Sequence, residues 1–166
     1  MYQTGDKVVY GASGVCQVQS IEEMEVGGEK SLYYALTQVY DKGNTHIYAP
    51  VEQKKIPIRP IMDKTQAEEL IRHLPEVEPF WCENKVEREK FWRETIRSGD
   101  THRWIEMLKG IRRKKEQSMK KGQRPSYFCE GMGRDVEKLL YGELAAALEM
   151  EPAEMEHYIL EQLETA

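Results

Sequence analysis

The chain has 166 residues and a formal net charge of −5, from 24 Lys and Arg against 29 Asp and Glu. This length suits one or two small domains, and 40% apolar residues are enough to build a hydrophobic core. A mean hydropathy of −0.70 and the lack of an apolar run of about 18 residues exclude a transmembrane helix. The first residues lack the basic-then-apolar order of a signal peptide. Three widely spaced cysteines argue against a disulfide framework, so we expect a reduced, cytoplasmic protein.

The first 60 residues have the pattern of short β-strands. KVVY is rich in β-forming residues, and Gly27-Gly28 stands between two β-prone runs as a two-residue hairpin turn. A second turn is predicted at residues 41–44, and Pro57 and Pro60 end the strand region. The strand segments include residues 7–10, 14–26, 31–40 and 45–51. Five short strands in about 60 residues predict a small Tudor-like or SH3-like barrel.

From residue 63 the apolar period becomes helical. Thr65 to Glu68 has the pattern of a capping box, and Pro75 ends the first predicted helix. A second helix is predicted from Asn84 to about Ser98, with Gly99 as its C-terminal stop. Asp100 caps the third, in which Gly110 is slightly destabilising. Residues 125–133 are expected to be a loop, followed by helices at about 134–149 and from Pro152. The prediction is thus an α+β protein of two domains, a barrel at 1–60 and a helical domain at 64–166.

The charge is unevenly distributed along the chain. Residues 1–62 carry −1, residues 63–83 carry −4, residues 84–124 carry +8 and residues 125–166 carry −8. The segment 109–124 alone holds eight basic residues and one acid, Glu116. Such asymmetry indicates a charged partner more specifically than the acidic average of the whole chain does.

The third predicted helix places basic residues opposite its apolar stripe. At 100° per residue this outward face comprises Lys109, Arg113, Lys114, Lys120 and Lys121, whereas Arg112 and Lys115 flank the stripe. One interpretation is a solvated helix face. The other is a surface that follows DNA phosphates, to which Lys85 and Arg88 would contribute from the preceding helix.

Trp81 lies just before the basic block, in a connector that follows Pro79. A tryptophan in such a connector is most often a packing anchor. The alternative is an exposed ring beside a basic surface, able to wedge or stack at a distorted base step.

Enzyme signals are weak. The four histidines are isolated, and the single Glu-x-x-His at Glu154 to His157 lacks the second copy that a di-iron site needs. The cysteines lack zinc spacing, and no nucleotide-binding or hydrolase motif is present. We therefore expect a protein without catalytic residues, metal or cofactor.

The segments GDKVVYGASGVCQVQSIEEMEVGGEK, YYALTQVY and HIYAPV resemble the CarD/CdnL family of bacterial transcription regulators. The resemblance continues in SGD at 98–100, in IRRKKEQ and in EKLLYGELAAAL, and it spans about residues 4 to 149. The N-terminal pattern also resembles the polymerase-binding module of transcription-repair coupling factors, and the helical half distinguishes the two.

The resemblance implies a Tudor-like domain that binds the β subunit of RNA polymerase. It also implies a helical domain that contacts promoter DNA without sequence specificity. The contact lies at the fork junction that forms the upstream edge of the bubble. There a Trp enters the minor groove and stabilises the open complex. By counting, the position of that Trp falls near Asn84, close to Trp81. Polymerase-contacting positions fall near Met24 and Tyr48. His46 and Ile47 precede Tyr48 on a predicted strand, which could pair with a strand of the partner if it lies at a sheet edge. We expect a monomeric, nucleoid-associated protein. The alternative to DNA contact is an adaptor function, in which the basic helix contacts protein.

Overall fold

The computed structural model describes residues 1–40, 43, 45–52 and 55–164. Five strands form one antiparallel sheet in the order β4-β3-β2-β1-β5. Their bounds are β1 Lys7–Tyr10, β2 Val15–Val26, β3 Glu29–Gln38, β4 His46–Pro50 and β5 Ile58–Pro60. A sheet followed by helices confirms the α+β class, while closure into a barrel and the division at residues 60–64 stay predictions. The turn predicted at 41–44 involves Asp41, Lys42 and Asn44, which lie outside the described residues.

The Gly27-Gly28 hairpin turn is confirmed. Both glycines have positive φ, 62° and 82°, a backbone conformation in which a Cβ is strained. The turn joins β2 to β3 with Val26 opposite Glu29. The register of this pair shifts between Val18 and Ser20, as at a β-bulge, which bends the long strand.

Within the described residues, five α-helices follow the sheet. They are α1 Lys64–His73, α2 Lys85–Ser98, α3 Thr101–Lys120, α4 Tyr127–Leu148 and α5 Met155–Glu164. Three predicted helix ends are confirmed: the Asn84 side chain accepts from the Glu87 N–H, Gly99 is left-handed, and Asp100 accepts from the His102 and Arg103 N–H groups. None of the described helices combines the length and apolar character needed to cross a membrane.

Two local predictions were wrong. The capping box of α1 is Asp63 with Gln66, whose side chains each accept from the other's backbone N–H at 2.8 and 2.9 Å, rather than Thr65 with Glu68. Of the loop predicted at 125–133, residues 127–133 are instead the start of α4, where the Ser126 hydroxyl accepts from the Cys129 N–H as the N-cap. Gly133 ends the predicted loop, yet it lies within α4, and a Cβ there would lie 3.2 Å from Ile111. This glycine therefore serves the close approach of α3 and α4.

The apolar core has two parts that meet at β1. Alternate residues of this strand face opposite ways: Val8 is buried within the sheet, whereas Val9 belongs to the helical cluster. The sheet cluster comprises Val8, Tyr10, Cys16, Val18, Tyr34, Leu36 and Ala49. The helical cluster contains Trp92, Trp104, Met107, Val136 and Leu144 among others. Because β1 contributes to both, the sheet packs directly against the helices.

Candidate nucleic-acid interface

The connector between α1 and α2 lies across the middle of α3. The Phe80 N–H donates to the Glu106 carbonyl at 3.0 Å, and the Phe80 ring stacks on Phe91 with centroids 3.8 Å apart. A Cβ on Gly110 would lie 1.7 Å from the Phe80 carbonyl oxygen. Only glycine allows the main chain of the connector to approach α3 this closely, so Gly110 positions the connector. Helix propensity alone does not predict this role.

Lys109 does not face outward as predicted. It is half-buried, and its ammonium donates to the carbonyls of Leu74, Pro75 and Val77 at 2.8, 3.4 and 2.5 Å. The helical wheel described α3 in isolation, but the connector covers this part of the face. Lys109 therefore holds the connector rather than presenting a free charge to DNA.

Trp81 is packed into the helical cluster as an anchor with part of its ring exposed. Its ring meets Trp92 edge-on, with centroids 5.8 Å apart. The Arg88 guanidinium carbon lies 4.5 Å from the Trp81 ring centroid and the Lys114 ammonium 5.4 Å from it, both within cation–π range. The indole N–H is buried and has no hydrogen-bond partner among the described residues. Trp81 is thus mainly a packing anchor, and two cations lie over its ring.

Two small clefts flank Trp81, and basic side chains line both. The first, of about 180 Å³, adjoins Gly110 on α3. The second, of about 160 Å³, lies where α2, α3 and α4 converge. The first is lined by Pro79, Trp81, Glu83, Gly110, Arg113, Lys114 and Gln117. The second is lined by Trp81, Arg88, Trp92, Lys114, Lys115, Ser118, Arg124, Pro125, Ser126 and Cys129. We call these two clefts, with Trp81 between them, the basic groove.

The predicted DNA-binding residues fall into three groups. Trp81, Arg88, Arg113 and Lys114 come together in the basic groove, although Arg88 also donates to the carbonyls of Cys82 and Glu83 at 2.8 and 3.2 Å. Lys85, Lys120 and Lys121 are exposed at helix ends. Lys109 is withdrawn into the connector. Arg124, which the sequence analysis did not single out, lines the groove from beyond the end of α3 because the chain turns back there into α4.

The sheet also carries a candidate surface. The order of the strands places β4 at the sheet edge. Through the pairs Met24–Ser31, Ala35–Tyr48 and Thr37–His46, side chains of Met24, His46 and Tyr48 share the outward face. Ile47 lies on the opposite face and packs against the sheet cluster, so it contributes backbone rather than side chain to this edge. Tyr48 is 44% exposed.

No group of three His, Cys, Asp or Glu side chains suited to a metal ion occurs within the described residues. His157 faces Glu161 at 3.0 Å on an exposed part of α5. All three cysteines are free thiols, and burial raises the pKa of Cys16 to about 11. At neutral pH this thiol is protonated and a poor nucleophile.

Comparison with known proteins assigns the N-terminal part. No curated protein matches the chain. Residues 2–62, which include all five strands, match the family model described as the CarD-like/TRCF RID domain. This family comprises non-catalytic, RNA polymerase-interacting domains of transcription factors, and the match confirms the CarD-like resemblance for this part of the chain. The similarity to this family thus covers residues 2–62, about a third of the chain, and the helices lie beyond it.

Proposed function

We propose that the protein is a transcription regulator that binds the β subunit of RNA polymerase and contacts promoter DNA at the upstream edge of the bubble, where it stabilises the open complex. The observation that carries the proposal is the attachment of a basic groove to an RNA polymerase-interacting domain. Neither part alone indicates this function, because many proteins carry basic surfaces.

Polymerase docking is assigned to the β4 edge and the outward face beside it. An edge strand offers unpaired backbone groups that can extend the partner's sheet. Tyr48 and Met24 add apolar contacts on the same face. The resemblance places polymerase contacts near Met24 and Tyr48, and neither residue is charged. Docking in this chain would therefore depend on strand pairing and apolar contact rather than on charge.

DNA contact is assigned to the basic groove together with the exposed lysines at the ends of α2 and α3. Residues 84–124 carry +8, but the preceding segment carries −4 and the following one −8. Affinity for free DNA is therefore expected to be low. Polymerase would hold the groove beside the promoter and raise its effective concentration. The protein would act by binding alone, without making or breaking a covalent bond.

The test measures binding to the N-terminal lobes of the β subunit, then the lifetime of promoter complexes formed by the matching polymerase. Tyr48→Glu should abolish binding to the lobes, because it places a charge on the docking face. Leu160→Glu is the matched control, since Leu160 is 54% exposed on α5, outside the proposed docking surface. An unchanged lifetime with and without the wild-type protein would refute the proposal.

A second pair of measurements separates DNA contact from an adaptor function. The wild-type protein should prefer a forked duplex to a plain duplex, with an affinity that falls as salt rises. An adaptor would show neither the preference for forked duplex nor this salt-dependent affinity for DNA. Trp81→Ala should shorten the lifetime of the open complex and leave binding to the β lobes intact; loss of binding to the lobes would instead make Trp81 purely structural.

A further inference from the structure

Tyr127 has the most exposed aromatic ring in the described part of the chain, at 85% of its surface. It is the first residue of α4. Its neighbour Phe128 stacks on Trp92 with centroids 6.1 Å apart and lies under Arg93. The two aromatic residues thus have different environments. Phe128 packs the start of α4 against the core, whereas Tyr127 is exposed to solvent.

Tyr127 directly follows residues that line the basic groove. Arg124, Pro125 and Ser126, the three residues before it, all line the second cleft, together with Lys114 and Lys115 on α3. A second exposed apolar side chain, Met119 at 62%, follows Ser118 of the same cleft. Large apolar side chains in water cost free energy relative to burial, so their position beside clustered cations suggests an anionic partner with flat apolar faces.

An unpaired nucleotide has this chemistry. Its phosphate suits the cations, and its base exposes a π-face for stacking on an aromatic ring. A paired duplex hides those faces between neighbouring base pairs. An apolar protein surface would match Tyr127 and Met119 but not the five basic residues, Arg88, Arg113, Lys114, Lys115 and Arg124, that line the groove.

We propose that Tyr127 stacks on an unpaired base of melted DNA, with Met119 beside it and the phosphates held by Arg124 and Lys114. The inference depends on the proposed DNA contact and extends it. Trp81 packs against the helical cluster and lines both clefts of the groove, whereas Tyr127 is the ring free to receive a base.

The experiment uses the full chain and a forked duplex with 2-aminopurine in its single-stranded arm, at low salt. Tyr127→Leu should weaken binding to the fork about tenfold, since base–aromatic stacking contributes about 1–3 kcal/mol and tenfold corresponds to about 1.4 kcal/mol. It should also abolish the fluorescence change caused by stacking. Tyr127→Phe keeps the ring and should stay within about twofold of wild type. Leu160→Ala, which removes an exposed apolar side chain on α5, should have no effect.

Arg124→Ala separates the failure of this inference from the failure of the proposed function. If Arg124→Ala weakens fork binding and Tyr127→Leu does not, stacking by Tyr127 is refuted and the DNA contact stands. If neither variant changes fork binding, or the wild type does not bind the fork, both are refuted. Equal losses on fork and plain duplex, or a loss of binding to the polymerase β lobes instead, would also overturn the role of Tyr127 in stacking.

Discussion

Arg59 on β5 and Glu143 on α4 form a two-point ion pair, with Nη1–Oε2 and Nη2–Oε1 distances of 2.6 and 2.7 Å. Glu143 is fully buried. Its oxygens also accept from the Thr101 hydroxyl at 2.7 Å and the Met62 N–H at 3.1 Å, so the carboxylate is well supplied with donors. This pair joins β5 of the sheet to α4, one of the helices that carry the basic groove.

Glu143→Ala should lower the free energy of unfolding by about 3–5 kcal/mol, because it leaves the Arg59 guanidinium and the other donors without their acceptor. Urea denaturation followed by tryptophan fluorescence measures the loss. Glu137→Ala is the matched control on the same helix. The Glu137 pair with Arg112, at 3.1 Å, is largely exposed and should contribute less than about 1 kcal/mol. Equal losses in the two variants would contradict the structural role of the Arg59–Glu143 pair.

Gly110→Ala and Gly131→Ala should have opposite effects on stability. The Cβ at position 110 would meet the Phe80 carbonyl oxygen at 1.7 Å, whereas nothing lies within 4 Å of one at position 131. Overpacking at Gly110 should cost about 2 kcal/mol or more. Gly131→Ala, inside α4, should gain up to about 1 kcal/mol in helix propensity. Thermal denaturation of both variants checks the signs, and a stable Gly110→Ala protein would show that the connector does not lie on α3.

Arg113→Ala and Lys109→Ala remove one positive charge each from the same helix but should act differently. Arg113 is exposed in the basic groove, so its removal should reduce the slope of log K against log salt by about 0.9 for each phosphate that it neutralises. Lys109→Ala should leave that slope near its wild-type value and lower stability, since three carbonyls lose their donor. DNA titrations at several salt concentrations test this. An equal change of slope in both variants would place the Lys109 ammonium at a phosphate.

Alkylation of the native protein should label Cys82 before the other two cysteines. Cys82 is half-buried, whereas Cys16 and Cys129 are buried, and desolvation raises the pKa of both buried thiols. The reactive thiolate is therefore scarce at about pH 8 for these two. Mass spectrometry after a short treatment with iodoacetamide gives the order in which the three cysteines are labelled. In urea-unfolded protein the three should be labelled at similar rates. Early labelling of Cys16 would contradict the burial of β2.

Local patterns predicted the parts of the fold that depend on neighbouring residues. The Gly27-Gly28 turn, the Asn84 and Asp100 caps and the Gly99 stop all follow from a few adjacent side chains. The sequence did not predict the roles of Lys109, Gly110 and Glu143, because each is decided by a segment distant in the chain: Arg59 is 84 residues from Glu143. Likewise, the loop predicted at 125–133 included Gly133, whose lack of a side chain is explained by Ile111 on the neighbouring helix.

The close approach of Gly110 to the Phe80 carbonyl also bears on how the basic groove responds to substitution. The connector that borders the first cleft is held on α3 by close main-chain contact and by the Phe80–Glu106 hydrogen bond, whereas Arg113 lines the same cleft from α3. Neutralising Arg113 should therefore alter the electrostatic potential of the cleft and leave its contour intact. Charge and shape, which usually change together in a DNA-contacting surface, can be varied separately in this protein.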